Sequence, residues 1–190
     1  MVDTSDEKPD RQARILEAAI DLLARDGISG VSVRAVAREA GVSLGLVNYH
    51  FSDKTSLLKA ALLRVEEQDL AMLDSDPDAS PEERLRTALR RVADPAYLTT
   101  DYLALRLQLW ALARADVAFE EINASAQKKY RKGLTELIAA ARPDLARDEC
   151  RRRAADIDVV QNGVWLTVLL GLDRASVTRS LRRCEEIALG

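Results

Sequence analysis

"VRAVAREAGVSLGLVNYHFSDK", residues 33–54, decides how the rest of the chain is read. Two short stretches of helix-forming residues flank a "GVS" turn, and helices of about eight residues are unstable alone, so they exist as a packed pair. Ala37 is small, as needed where two helices cross closely. Four residues later Gly41 supplies a turn in which left-handed backbone costs other residues more. Six residues after that, Val47 faces back into the crossing, and Val36, Ala40, Val42 and Phe51 complete a small core. A small residue, a turn glycine and an apolar anchor at these offsets describe a helix-turn-helix. Ser32 is placed to cap the first helix, and the second runs from about 44 to 50.

The outward face gives the pair a purpose. With Val47 and Phe51 inside, Ser43, Leu44, Gly45, Asn48 and Tyr49 fall outside. Apolar leucines, a glycine and an amide make a poor solvated face but suit a major groove. Gly45 permits close backbone approach, Leu44 or Leu46 can meet a thymine methyl, and Asn48 can pair bidentately with adenine. Tyr49 and His50 end the helix, where their donors reach phosphates, and Lys54 opens the next helix beside the same phosphate region. Between residues 34 and 64 the bases Arg34, Arg38, Lys54, Lys59 and Arg64 outnumber the acids Glu39 and Asp53 by three.

Other chemistries for His50 are poorly supported. It is the single histidine of the chain, and catalysis would need a nucleophile or carboxylate held against it. Asp53 is near, yet a polar neighbour at one turn is commonplace. A metal site lacks further histidines or paired cysteines. A His50 that only packs against its helix stays open, and is compatible with DNA binding by its neighbours.

Around this segment the chain has the composition of an ordinary globular protein: 190 residues, 47% hydrophobic and 31% charged, with net charge −3. That balance leaves room for a local basic face. No apolar run approaches the roughly 20 residues of a membrane span, and the acidic N-terminus is unlike a signal peptide. Cys150 and Cys184 lack metal or redox spacing. A cytoplasmic protein with no metal or cofactor is expected, and scattered acids around one histidine offer no enzyme site. A helical interaction module whose turn region merely packs remains the competing reading.

Helical periodicity extends throughout. In "DRQARILEAAIDLLARD", residues 10–26, Ile15, Ala18, Ala19, Leu22 and Leu23 form one apolar stripe that stops at Gly27. Leu57, Leu58, Ala61 and Leu62 form the stripe of a longer helix after Asp53. "DSDPDASPEE", residues 74–83, reads as a loop ending in a helix start at Ser80 and Pro81. Further helices are expected near 82–93, 98–114, 117–142, 147–171 and 174–189. The predicted fold is all-α with about nine helices. It comprises a flexible tail (1–9), a three-helix DNA-binding domain (10–53) and a larger helical domain (54–190) entered through a connecting helix (54–74).

Residues 12–62, and "ILEAAIDLLARDGISGVSVRAVAREAGVSLGLVNYHFSDKTSLLKAAL" in particular, resemble the DNA-binding domain of TetR-type transcriptional regulators. The resemblance implies operator-contacting roles for Gly41, Ser43, Gly45, Tyr49, His50 and Lys54, with Ser32 and Arg34 at the start of the preceding helix. One departure is Asn48, where the family commonly carries tyrosine. "LQLWALARADVAFEEINA" and "VVQNGVWLTVLLG" resemble, more weakly, the BetI-type subgroup of these repressors. A repressor that binds a palindromic operator as a homodimer and is released by a small-molecule effector is the expected function.

Two sites follow as expectations for the later helices. On the last two, Ile157, Val160, Val164 and Val168 form one ridge and Val177, Leu181 and Cys184 another, which pairing with symmetry mates would join in a four-helix interface; burial inside one subunit is the alternative. Aromatics are scarce but cluster after residue 96, and Tyr102, Trp110, Phe119, Asp158, Asn162 and Trp165 are candidate effector contacts, ring faces plus a carboxylate suiting a cationic or amphipathic ligand. Core packing of both tryptophans is the competing reading.

Overall fold

Serine hydroxyls start both helices of the motif. In the computed structural model, which describes residues 7–171 and 174–190, Ser32 Oγ accepts from the Ala35 amide at 3.1 Å and Ser43 Oγ from the Leu46 amide at 3.2 Å. Each satisfies a backbone donor that the first helical turn leaves without a partner. The helices so begun are α2 (Val33–Glu39) and α3 (Leu44–His50). Gly41 joins them at φ +64°, the left-handed conformation expected of the turn. They follow α1 (Glu7–Gly30), whose path breaks at Gly27, φ +69°, before one further turn. α1 therefore begins within the stretch expected to be a tail, whose first six residues lie outside the described ones.

Asp53 caps the next helix, α4 (Lys54–Leu70). Its Oδ1 accepts from the Ser56 amide at 2.7 Å, and the Ser56 hydroxyl accepts from the Asp53 amide in return. The hydrogen bond from the Ser56 amide foremost, with further ones from the Ser56 and Ser52 hydroxyls, holds the Asp53 carboxyl below the usual range. A 3-10 turn at Ala71–Leu73 precedes α5 (Pro81–Arg91), capped by Ser80 as its sequence suggests. Then come a second 3-10 turn (Pro95–Tyr97), α6 (Thr100–Ala115), α7 (Val117–Ala141), α8 (Arg147–Leu169) and α9 (Arg174–Leu189). The described residues thus form nine α-helices and no strand.

The chain divides into two compact units, and the divisions fall inside α4, α6 and α7. The first unit comprises the chain through Glu66 together with Ala104–Ile122. Its core contains Ile15, Leu22, Leu23, Val36, Ala37, Val47, Phe51, Leu57 and Leu62, joined by Leu105, Leu109, Leu112 and Phe119. The helix-turn-helix segment is therefore held by α4 and by parts of α6 and α7 as well as by α1, and the structural division differs from a boundary at residue 53. The second unit comprises Glu67–Leu103 and Asn123–Gly190. There α8 packs along α9, and α5 is tied to α9 by Arg90 Nε on Glu185 Oε1 at 2.8 Å.

Candidate nucleic-acid interface

Side-chain burial within α3 separates its two tasks. Val47 is 0% exposed and Phe51, its C-cap, is buried; complete burial of a side chain like Val47 contributes about 1.5–3 kcal/mol, enough to fix the orientation of so short a helix. On the opposite side Ser43, Leu44, Gly45 and Asn48 are exposed, and Tyr49 is 73% exposed. Leu46 differs from its expected position: it is half-buried against the core of the first unit, so Leu44 is the leucine on the outward face. His50 is half-buried, with the Tyr49 ring edge-on at 5.2 Å and the Phe51 ring at 6.2 Å.

The flanking groups are held by neighbouring elements of the first unit. Arg34 is exposed in the first turn of α2, as is Ser32 before it. Both capping serines keep a hydroxyl proton to donate, because the cap uses the oxygen as acceptor. Lys54 Nζ donates to the Ile28 carbonyl at 2.6 Å, which fixes its stem near the start of α4 and takes one of three ammonium donors. Glu39, one of the two acids near the motif, is drawn to Arg25, with Nη1 to Oε1 3.2 Å. Arg14 Nη2 donates to the Ala40 carbonyl at 2.8 Å and so closes the C-terminal end of α2. An outward face with an amide, a hydroxyl and apolar groups, flanked by cations, can touch base edges and phosphates together.

The candidate effector residues fall into two groups. Trp110 and Phe119 belong to the first unit, where Phe119 is core, Lys59 Nζ lies 6.0 Å from its ring centroid, and Arg106 stacks on Trp110 at 5.4 Å. Tyr102, Asp158, Asn162 and Trp165 belong to the second. Tyr102 meets Trp165 edge-on at 6.4 Å and Tyr97 at 5.4 Å, while its hydroxyl donates to Asp69. Trp165 is buried, and its indole Nε1 donates to the Val92 carbonyl at 3.2 Å. Asp158 accepts from Asn162 at 3.1 Å and pairs with Arg131 Nε at 3.0 Å. No single site within either unit holds all six. Two polar residues outside this set lie beside it: Tyr130 donates to Gln161 Oε1 at 2.8 Å. Gln161 stands four residues from both Ile157 and Trp165, a spacing that marks it as inward-facing.

The expected pairing ridge needs correction. Ile157, Val164, Val177 and Cys184 are buried inside one chain, and Val160, Val168 and Leu181 pack half-buried against the same cores. This is the inward ridge. The apolar residues that α8 leaves outside are Val159 (71% exposed), Leu166 and Leu170 (76%), with Gly163 between them. Burial pushes the Cys184 thiol up to about 11, so neither its position nor its acidity suits surface chemistry. Among the described residues no group of histidine, cysteine and acids is placed to hold a metal, and no helix is long and apolar enough to cross a membrane.

Comparison with known proteins agrees with this geometry over both units. Residues 15–61 match the family of bacterial regulatory proteins called the tetR family. Residues 81–188, more than half of the chain, match the C-terminal domain of BetI-type transcriptional repressors. The chain belongs to the TetR family, with a BetI-type C-terminal domain. Its similarity to the HTH-type transcriptional regulator BetI of Klebsiella pneumoniae (strain 342) is 25% identity over 167 residues, covering 86% of this chain and 84% of that one. In structure it is similar to a transcriptional regulator from Pseudomonas aeruginosa PAO1, with TM-score 0.81, 24% identity and coverage of 97% and 92%. A regulator from Saccharomonospora viridis, solved in complex with choline, superposes with TM-score 0.72 at 22% identity, covering 94% and 95%. This TetR-family chain is accordingly a DNA-binding transcriptional regulator and not an enzyme.

Proposed function

We propose that the chain is a cytoplasmic, homodimeric repressor that binds a near-palindromic operator and leaves it when a small molecule occupies the second unit. The observation that carries this reading is α3, in which Val47 is wholly buried while Leu44, Gly45, Asn48 and Tyr49 stand outside. Asn48 and Leu44 read bases; Ser43, Tyr49, His50, Lys54, Ser32 and Arg34 hold the backbone. Gly45 admits the groove wall, and Leu46 anchors the helix from its half-buried side.

A two-fold operator calls for a two-fold protein, which requires a self-complementary patch. Val159, Leu166 and Leu170 recur along one side of α8 and supply it. Release requires that the effector prefer a conformation whose recognition helices are wrongly spaced. α4, α6 and α7 contribute residues to both units, which gives ligand-induced repacking a covalent route toward Lys54. The choline complex of the Saccharomonospora viridis neighbour supports a small molecule as the effector class.

Fluorescence polarisation at low salt on the DNA upstream of the protein's own coding sequence tests the reading. Saturable binding that resists competition by random duplex is expected, and its absence would overturn the proposal. With Asn48→Ala, preference should relax at one base position of each half-site; a uniform loss on all sequences would remove Asn48 from the groove.

A further inference from the structure

The apolar interior of the second unit is in two pieces. One gathers Leu85, Leu89, Leu134, Ile138 and Ile157; the other gathers Met72, Val92, Leu103 and Trp165. α8 supplies Ile157 to the first and Trp165 to the second, and Gln161 lies between them, one turn from each. It is 2% exposed, its Oε1 accepts from Tyr130, and its Nε2 is buried without a hydrogen-bond partner. Turning the amide over only exchanges its ends, because Tyr130 can serve one of them. A buried amide end left unmatched opposes folding, whereas leucine or methionine, with phenylalanine in place of Tyr130, would join the two apolar pieces at no such cost.

We infer that Gln161 is an effector contact, and that the effector is an uncharged, largely apolar molecule whose oxygen acceptor is received by the Gln161 amide. This rests on the reading of the second unit as an effector domain. The ligand class follows from the surroundings. Ile157 and Trp165 bracket the amide with apolar surface. Asp158, the carboxylate nearest along this part of α8, is already balanced by Arg131 at 3.0 Å and by the Asn162 amide at 3.1 Å. A ketone, ester or alcohol oxygen completes the hydrogen bonding of Gln161 without bringing in a charge that the interior would have to neutralise. Trp165, one turn away, would report its arrival.

The test uses the full chain carrying Trp110→Phe, which leaves Trp165 as the only tryptophan. Cyclohexanone, 2-heptanone, 1-hexanol and choline chloride are titrated while Trp165 emission is followed. At least one of the three neutral compounds should give a saturable change, and choline none. Adding Gln161→Met together with Tyr130→Phe, so that no hydroxyl loses its acceptor, should weaken that binding about tenfold relative to Tyr130→Phe alone while leaving the ligand-free melting temperature equal or higher. The inference is overturned by no saturable change with any neutral compound, by equal affinity in the doubly substituted protein, by a choline response, or by a ligand-free melting temperature lower than that of Tyr130→Phe alone. Polarisation on a duplex that the wild type selects from a random pool is run beside it. Specific duplex binding with no neutral response sinks only this inference, whereas failure of the wild type to select any duplex from the pool sinks the repressor reading.

Discussion

Gly45→Ala should raise stability and lower DNA affinity together, because the two properties read opposite sides of one helix. Gly45 is the second residue of α3, and an added Cβ would meet only Ser43 Oγ, at 3.9 Å. In the free protein the methyl is therefore unopposed and reduces the backbone freedom of the unfolded chain. Alanine is favoured over glycine in helices by ~0.5–1 kcal/mol, and the first turn should return the lower end, about 0.5 kcal/mol. Gly41→Ala, four residues earlier, is the control of opposite sign. Its Cβ would also find space, with Arg14 Nη2 nearest at 3.6 Å, but φ of +64° imposes a cost of ~1–2 kcal/mol on any L side chain. The two substitutions should thus differ by roughly 2 kcal/mol in thermal or urea unfolding followed by far-ultraviolet circular dichroism. On the selected duplex, the Gly45→Ala methyl stands where the groove wall approaches, and affinity should fall about tenfold, the scale of one mismatched base pair. A Gly45→Ala protein that is more stable and binds the duplex as tightly as wild type would refute the groove placement of α3. A less stable one would refute the helical account of Gly45 itself.

Three further outcomes are expected. Lys54→Ala should weaken binding to every duplex and reduce the slope of log affinity against log salt by about 0.9, the share of one phosphate contact; an unchanged slope would mean that Lys54 serves only the Ile28 carbonyl. Leu166→Asp combined with Val159→Asp should give a folded monomer at micromolar concentration by analytical centrifugation, whereas Val164→Asp, inside the core, should unfold the second unit; a dimer surviving the double substitution would move the interface elsewhere. Asp144, held down to about 2 by side-chain hydrogen bonds from Arg142 at 2.8 and 2.7 Å, gives an acid-dependent term. Its folded value lies below the usual 3.8, so its stabilisation is present above pH ~4 and disappears as pH falls toward 2. Urea midpoints of wild type and Asp144→Asn should therefore converge across that window, and a gap constant with pH would refute the assignment.

Local rules carried the reading of the DNA-binding segment. The offsets from Ala37 to Gly41 and Val47, and the serines before each helix, act over a turn or two, where backbone geometry and capping leave few alternatives. Position 46 was less legible: Leu44 and Leu46 are the same residue type two apart, and only packing against the core of the first unit places Leu46 half inside. The effector residues were harder still. A list of aromatics carries no information on which unit each joins, and α6 and α7 pass Trp110 and Phe119 to the first unit and Tyr102 and Tyr130 to the second.

Sequence alone determined the all-α class, the helix-turn-helix and the side of α3 that faces outward, because amphipathic contrast is strong there and the contacts are local. Tertiary structure decided the register of α8. That helix carries apolar residues on more than one side, Ile157 and Val164 on one, Val159 and Leu166 on another. Helical period assigns residues to sides but cannot say which side a neighbouring helix of the same chain will cover. Only packing within the second unit, by α9 and by the α5 and α7 residues that share its apolar cluster, resolved it, turning Ile157 and Gln161 inward and leaving Val159, Leu166 and Leu170 exposed.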